Sequence, residues 1–565
     1  MSGLVILVVS FIIFLAAYMG YGRWLAKKWG VNADAPTPAH ELRDGVDYVP
    51  ANRSVVFGHQ FASIAGAGPI NGPIIAAMFG WVPVLLWIIF GGIFFGAVQD
   101  FAAMYASVKN KGKTIGYLIE LYIGKTGKLL FLVFTWLFSI LVVAAFADIV
   151  AVTFNGFAAD GARIDANASV ATTSILFIVA AVVLGVFLQK AKPNGIVSGA
   201  VAITMLVICI ALGLNFPMYM EKMPWLYFVF AYIFVASVTP VWALLQPRDY
   251  LNAFLLVFMI VAAFVGVIVA NPAMNLPAFT SFEVKGMPMF PILFVTVACG
   301  AVSGFHALVA SGTSSKQVDN ERDILPISFG GMLLECLLAV IALVAVGAMA
   351  VGGAMPAGSP PTIFAQAISG FLASTGLPSQ TVFTLITLAV SAFALTSLDS
   401  VARVGRLAFQ ELFTDADGKA NGPVAAFFGN RYVATFFTLL MGYLLALKGY
   451  ANIWPLFGSA NQLLAALALI ACAVFLKRTR REGWMLYVPM VCMLGVTFTA
   501  LGLTIYKLVG KIGSEQGFEI ASDGLQLVFA VLLLALGILV AAAGIGKLTG
   551  DEPGDGEEVP AGARV

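Results

Sequence analysis

The apolar residues of this chain come in long uninterrupted runs, without the periodic polar positions that mark a half-solvated helix or strand. A helix needs about 20 apolar residues to cross the hydrocarbon of a bilayer. Charges and turn residues divide the chain into fifteen stretches of this kind. They are Ser2 to Trp24, Phe61 to Phe79, Trp81 to Tyr105, Leu129 to Ala151, Ala171 to Gln189, Gly195 to Leu214, Trp225 to Gln246, Leu251 to Ala270 and Pro291 to Ser311. Pro326 to Val351, Thr381 to Leu398, Arg431 to Leu447, Ile453 to Leu476, Trp484 to Tyr506 and Leu525 to Ala543 complete the set. The expected fold class is an all-α integral membrane protein of about fifteen transmembrane helices.

Composition agrees with the pattern. Of 565 residues, 60% are apolar and only 11% charged, with a mean hydropathy of +0.96, too few charges to cover a water-soluble globule. A formal net charge of +2 supplies no field for nucleic acid. The partners to expect are the lipid bilayer and a small solute. Cys209, Cys299, Cys336, Cys472 and Cys492 all fall inside apolar runs without a CxxC pair, which argues against disulfide or zinc chemistry. The first run has no basic residue ahead of it and reads as a retained helix, not a leader.

When the 31 Lys and Arg are dealt alternately to the two sides of the fifteen stretches, one side receives 25 and the other 6. A miscount in the middle would scramble the later alternation, so the asymmetry supports both number and order. By the positive-inside rule the N-terminus is outside and the C-terminus cytoplasmic.

Two stretches are damaged as helices. The second, FASIAGAGPINGPIIAAMFG, holds Gly66, Gly68, Pro69, Gly72 and Pro73. Each proline removes a backbone donor and each glycine weakens the helix. The seventh, ASVTPVWALLQPRDYL, is interrupted at Thr239 and Pro240, with Trp242 beside them. From second to seventh is a shift of five, which reverses orientation, so two five-helix units starting there would be inverted repeats led by broken helices, as in carriers that bind at the bilayer midplane. No residue-level similarity links the units; the repeat rests on topology. Broken helices expose N–H groups suited to a carboxylate and carbonyls suited to a cation. The candidate substrate-binding residues are accordingly Ala65, Gly66, Ala67, Gly68, Asn71, Ser237, Thr239 and Trp242, with a small anionic or zwitterionic substrate and a coupling cation as ligands.

Four segments, FGHQFASIAGAGPINGPIIAAMFGW (Phe57 to Trp81), FGGIFFGAVQDFAAMYASVKNKGKTIG (Phe90 to Gly116), TPVWALLQPRDYLN (Thr239 to Asn252) and GFHALVASGTSSKQ (Gly304 to Gln317), resemble the carbon starvation protein A family of bacterial inner-membrane carriers. The resemblance implies transport of peptides or of pyruvate with a cation, and a LeuT-like five-plus-five inverted-repeat core. On that scheme residues 1–24 are an extra helix, 25–60 a cytoplasmic loop, 61–214 and 225–405 the two repeats, 431–546 four extra helices and 547–565 a disordered cytoplasmic tail. It further implies that Ser303, Ser311, Thr313 and Ser314 supply oxygens to a sodium site facing the first core helix.

The residues themselves offer a second coupling route. His306 lies within a stretch and can carry a proton near neutral pH. Glu335 and Asp148 have no partner close in sequence and suit a proton relay. Asp399 precedes Arg403 by one helical turn, the spacing of an intrahelical ion pair. Asp100 near Lys109, and Asp249 beside Arg248, read as inner-mouth residues, and Asp100, Asp249, Asp399 and Arg403 are the candidate gate. No cofactor and no metal is expected beyond a coupling Na+ or H+. The rival readings are a channel, a metabolite sensor that does not transport, and a membrane-embedded enzyme built on Ser303 and His306, which lacks HExxH and GxSG patterns.

This topology predicts that cysteines placed at the N-terminus and in the Phe79 to Val82 turn react with an impermeant thiol reagent on intact cells. Cysteines at Lys109 to Lys113 and Lys477 to Arg481 should react only after permeabilisation; labelling of both basic clusters from outside would refute the topology.

Overall fold

A computed structural model of the chain describes residues 1–44, 48–158, 160–191, 193, 195–240, 244–413, 422–481, 483–512 and 518–550. Trp242 and most of the expected tail lie outside them. The described chain is helical apart from short connections and one two-residue hairpin, Glu283–Val284 against Met287–Pro288. Eleven helices are long and apolar enough to cross a membrane, so the chain is a multi-pass membrane protein.

These eleven match eleven of the fifteen expected stretches, the twelfth is one shorter helix, and the second, seventh and ninth are interrupted or cut short. The second is a pair, Arg53–Ile64 and Gly68–Phe79, bent by 44°. The seventh and twelfth are shorter apolar helices, Lys222–Val238 and Arg431–Ala446. The seventh stops one residue before Thr239, and the chain resumes as the eighth helix at Leu245. The ninth was expected as one helix but is split into Met289–Thr296 and Gly304–Gly312.

Ends also shift. The first helix reaches Lys28 through a wide turn at Tyr18–Gly22. The bent pair begins at Arg53 because Asn52 caps it, accepting from the Ser54 N–H at 3.0 Å. The last helix continues to Thr549, three residues into the expected tail. A helix at Pro360–Leu372 was not foreseen; its Pro360–Pro361 start suits the first helical turn.

The chain divides into two units. The first comprises Met1–Leu7, Ser139–Pro277 and Ile341–Trp454; the second comprises Val8–Phe138, Ala278–Val340 and Pro455–Val565. Within the second unit the split pair is wedged between neighbours through glycine. A Cβ on Gly72 would lie 2.7 Å from the Thr296 carbonyl oxygen, and one on Gly458 would lie 2.0 Å from that of Val295. Only glycine permits this approach of helix backbones.

Overpacking of this kind costs roughly 1–3 kcal/mol or more. Gly458→Val should therefore lower the apparent melting temperature of the purified protein, whereas Gly495→Ala, with nothing within 4 Å of the added methyl, should not. Equal melting of the two variants would remove the packing role of Gly458.

Candidate functional site

The bent pair breaks at Ala65–Ala67 because the Gly and Pro content around it cannot sustain a helix, and the break is buried. Among the described residues the carbonyls of Ala65 and Gly66 and the amide of Ala67 receive no hydrogen-bond partner. Asn71, on the first turn of Gly68–Ala76, is fully buried, and neither its Oδ1 nor its Nδ2 has a partner. Buried polar groups are ordinarily satisfied, which makes this cluster the candidate ligand site. Gly68 plays a different part from the one expected. Its Cβ would meet Cys299 Sγ at 2.5 Å, so it accommodates a neighbouring side chain and does not reserve space for a ligand.

The break in the ninth stretch draws on side chains of other helices. Gln462 Nε2 donates to the Phe294 carbonyl at 2.6 Å and Trp87 Nε1 to that of Val297 at 3.3 Å, which caps the end of Met289–Thr296. Asn461 Oδ1 accepts from the Phe305 N–H at 3.1 Å at the start of Gly304–Gly312. Gln99 Nε2 donates to the Ser303 carbonyl at 2.9 Å. Sequence reading missed these amides, although Gln99, Asn461 and Gln462 inside apolar runs were a visible signal.

His306, on the second half of the split pair, stands between two carboxylates, with Nδ1 2.9 Å from Asp100 Oδ2 and Nε2 3.3 Å from Glu335 Oε2. All three side chains are fully buried. An ionised Asp100 only accepts, so Nδ1 carries the hydrogen and Nε2 faces Glu335. Glu335 has no hydrogen bond to either oxygen. Glycines deliver the two acids. A Cβ on Gly96 would lie 2.2 Å from the Ala301 carbonyl, and one on Gly92 2.3 Å from Cys336 Sγ. The wide turn Gly92–Gly96 thus brings its helix close enough for Asp100, one turn on, to reach His306.

The structure brings His306 and Glu335 together as candidates and moves Asp100 from the gate to their side. Lys109, its expected neighbour, pairs instead with Glu321 at 2.6 Å. The hydroxyls are committed elsewhere. Ser303 Oγ exchanges hydrogen bonds with Asn461 at 3.1 and 3.3 Å. Ser311 Oγ donates to the Ala307 carbonyl at 2.7 Å and accepts from the Ile115 N–H at 3.0 Å, and Ser314 Oγ donates to Gln60 Oε1 at 2.6 Å. Thr313 is exposed. Among the described residues no three His, Cys, Asp or Glu side chains are arranged to hold a metal ion.

Ser237, Thr239, Asp249, Asp399 and Arg403 belong to the first unit. Asp399 does not pair with Arg403. Its partner is Arg248, whose Nη1 reaches Asp399 Oδ2 and the Tyr232 hydroxyl. Arg403 Nη2 instead donates to the carbonyls of Ala236 at 2.9 Å and Thr239 at 2.6 Å, and Arg406 Nη1 donates to that of Ser237 at 3.0 Å. These are the free carbonyls at the end of Lys222–Val238, where cations are favoured. Asp148 has partners after all: Lys222 Nζ at 2.7 Å and the Tyr450 N–H at 2.8 Å.

Asn71→Leu separates binding from folding. Removing an unpartnered buried amide should leave thermal stability unchanged or raised, since its desolvation penalty of about 1–3 kcal/mol disappears. Substrate uptake should fall by about tenfold or more, the loss of one or two hydrogen bonds to a charged ligand. A stable Asn71→Leu protein with normal uptake would exclude the residue from the site.

Comparison with known proteins joins these features to a family. Residues 2–363 and 353–500 match the family described as carbon starvation protein CstA. The peptide transporter CstA of Bacillus subtilis strain 168 is 31% identical, covering 97% of this chain and 97% of that protein. The pyruvate/proton symporter BtsT of Escherichia coli K12 is 32% identical, over 90% of this chain and 82% of that protein. Among solved structures, a manganese transporter of Eremococcus coleocola, in complex with an aromatic bis-isothiourea substituted compound, aligns with a TM-score of 0.48 at 11% identity, covering 92% of this chain and 99% of that one. With a family match over most of its length and relatives above 30% identity across nearly all of it, the chain belongs to the CstA family of carbon starvation proteins.

Proposed function

We propose that the protein is a secondary active transporter of the bacterial inner membrane that imports a small carboxylate nutrient, pyruvate or a short peptide, during carbon starvation. It works by cation-coupled symport with alternating access. The observation that carries this reading is the buried break at Ala65–Ala67 with its unpartnered backbone groups and the unpartnered Asn71. A substrate carboxylate or amide supplies the missing partners. The names of relatives, a peptide transporter and a pyruvate/proton symporter, support the substrate class.

The core on this reading is a LeuT-like five-plus-five inverted repeat. The bent second stretch and the seventh, which ends before Thr239, lead the two repeats, five apart. The N-terminus is outside and the C-terminus inside on this reading, by the positive-inside rule, and residues dealt to one side meet within one unit. Lys109 pairs with Glu321, Arg53 lies 3.9 Å from Asp323, and Arg481 stands over the Tyr105 ring.

The coupling ion on this reading is the proton, exchanged at His306 Nε2 and Glu335. The candidate sodium oxygens of Ser303, Ser311 and Ser314 are engaged in structural hydrogen bonds. A hydrogen-bonded route also runs from Cys299 through Asn461, Ser303 and Gln99 to Asp100 and His306. Cys299, at one end of this route, packs against Gly68 beside the break.

Uptake of radiolabelled pyruvate and dipeptide into proteoliposomes, under separately imposed proton and sodium gradients, tests the proposal. Accumulation should follow the pH gradient without sodium. His306→Gln and Glu335→Gln should abolish gradient-driven accumulation and lose a pH-linked change in apparent affinity of about 5- to 150-fold, the usual range of site-to-site coupling; Ser311→Ala should keep both. Sodium-driven uptake that ignores His306 and Glu335 would overturn the proton assignment, and the absence of saturable uptake would overturn the carrier.

A further inference from the structure

The first unit holds a second group of buried charges that the transport reading does not use. Arg248 is 2% exposed and lies on the first turn of Leu245–Ala270. Its Nη1 is held by Asp399 and Tyr232, whose hydroxyl donates to Asp399 Oδ2 at 2.7 Å. Its Nε and Nη2 are buried and make no hydrogen bond. These two nitrogens form the side-on edge of a guanidinium, the fork that matches both oxygens of a carboxylate. Asp399 and Tyr232 thus fix the plane of the group from one side and leave the matching edge unfilled.

Charge counting points the same way. Arg248, Arg403 and Arg406 carry three positive charges against two negative ones on Asp249 and Asp399. Arg403 and Arg406 donate to backbone carbonyls and have no carboxylate within 4.0 Å among the described residues. The open edge of Arg248 therefore lacks a hydrogen-bonded anion. Asp249 does not supply it to the open edge. Its Oδ1 stands 3.7 Å from Nη2 without a hydrogen bond, on a side chain that is 30% exposed while that of Arg248 is 3% exposed. Asp249 therefore sits at the accessible rim of the site.

We propose that the free Nε/Nη2 edge of Arg248 is a binding site for a small monocarboxylate, distinct from the break at Ala65–Ala67, with Asp249 as the competing carboxylate at its entrance. The proposal uses the reading of the chain as a carrier of small carboxylates only to choose the probe. Pyruvate brings one negative charge and two coplanar oxygens, which fill the fork. Methyl pyruvate has neither, and chloride has the charge without the two-oxygen geometry.

Isothermal titration of the purified full chain in lipid nanodiscs, in buffer free of carboxylates, tests this with pyruvate, methyl pyruvate and chloride as probes. Pyruvate should bind and methyl pyruvate should not, with chloride at least about tenfold weaker. Arg248→Lys, which keeps the charge for Asp399 and loses the fork, should weaken pyruvate binding about tenfold. Asp249→Asn leaves Arg248 and Asp399 in place, guards against misfolding of the first variant, and should bind pyruvate several-fold more tightly through loss of a weak competitor at a partly exposed position. Asn71→Leu should retain one pyruvate-binding event that Arg248→Lys then removes. The site is overturned if folded Arg248→Lys or Asp249→Asn binds pyruvate as the parent does, if methyl pyruvate or chloride binds equally well, or if Asn71→Leu alone abolishes all binding. Gradient-driven uptake that persists through any of those results would leave the carrier reading standing.

Discussion

A helix interrupted at membrane depth leaves backbone donors and acceptors that lipid cannot satisfy, and the rest of this structure follows from how those groups are dealt with. Two interruptions in the second unit differ in the side chains that reach them. At Val297–Ser303 three side-chain amides and one indole are spent on them: Asn461, Gln462, Gln99 and Trp87. At Ala65–Ala67 no side chain comes in, and Asn71 adds two more unpartnered atoms. The first break is tied to other helices by side chains. On the proposed reading, the second is left for a ligand to complete.

Glycine makes this arrangement tight enough to work. Gly72 and Gly458 let two neighbours touch the backbone of Met289–Thr296, and Gly92 and Gly96 bring a third helix against Cys336 and Ala301. Since Asp100 follows Gly96 by four residues and Glu335 adjoins Cys336, close packing and the placement of charge have the same cause. A charge at the centre of a membrane helix costs about 2.5–3.5 kcal/mol even on lenient scales. The acids of this protein accordingly face protein groups: Asp100 meets His306, Asp399 meets Arg248 and Tyr232, and Asp148 meets Lys222 and the start of Tyr450–Arg478.

Much of this could be read from the chain. Gly66, Gly68, Pro69, Gly72 and Pro73 within one apolar run announce a break without any structure, and His306 and Glu335 stand out as ionisable groups where lipid would penalise them. The ninth stretch shows why the rest was not legible. Its run PILFVTVACGAVSGF is no richer in breakers than an ordinary membrane helix, and its interruption is held by residues on other helices, Gly72, Asn461 and Gln462 among them. Partner choice fails for the same reason. Asp399 and Arg403 have ideal spacing along one helix, yet Arg248, 151 residues away, supplies the bond. Arg403 is worth more on the open carbonyls of Ala236 and Thr239, which a neighbour along its own helix cannot reach. Sequence spacing sees only pairs on one element, whereas the demand for partners is set by the ends of others.

The charge state of the substrate connects these local facts to transport. On the proposed reading, a monocarboxylate entering the break at Ala65–Ala67 adds a negative charge to a unit that already buries two carboxylates and one histidine around His306. Bringing in that charge alone carries a desolvation penalty of several kcal/mol. On the proposed reading, a proton taken up between His306 Nε2 and Glu335 cancels it, so substrate and proton each lower the cost of binding the other. Linkage makes the effect reciprocal: whatever factor the proton contributes to substrate affinity, the substrate contributes to proton affinity. Asp100 is then a positioning residue. By accepting from Nδ1 it holds the other ring nitrogen toward Glu335, so that the proton is gained and lost on the side where the only unpartnered carboxylate oxygens of the trio stand. A zwitterionic peptide brings no net charge and would gain less from the same proton, so the strength of coupling itself distinguishes the two substrate classes that the family embraces.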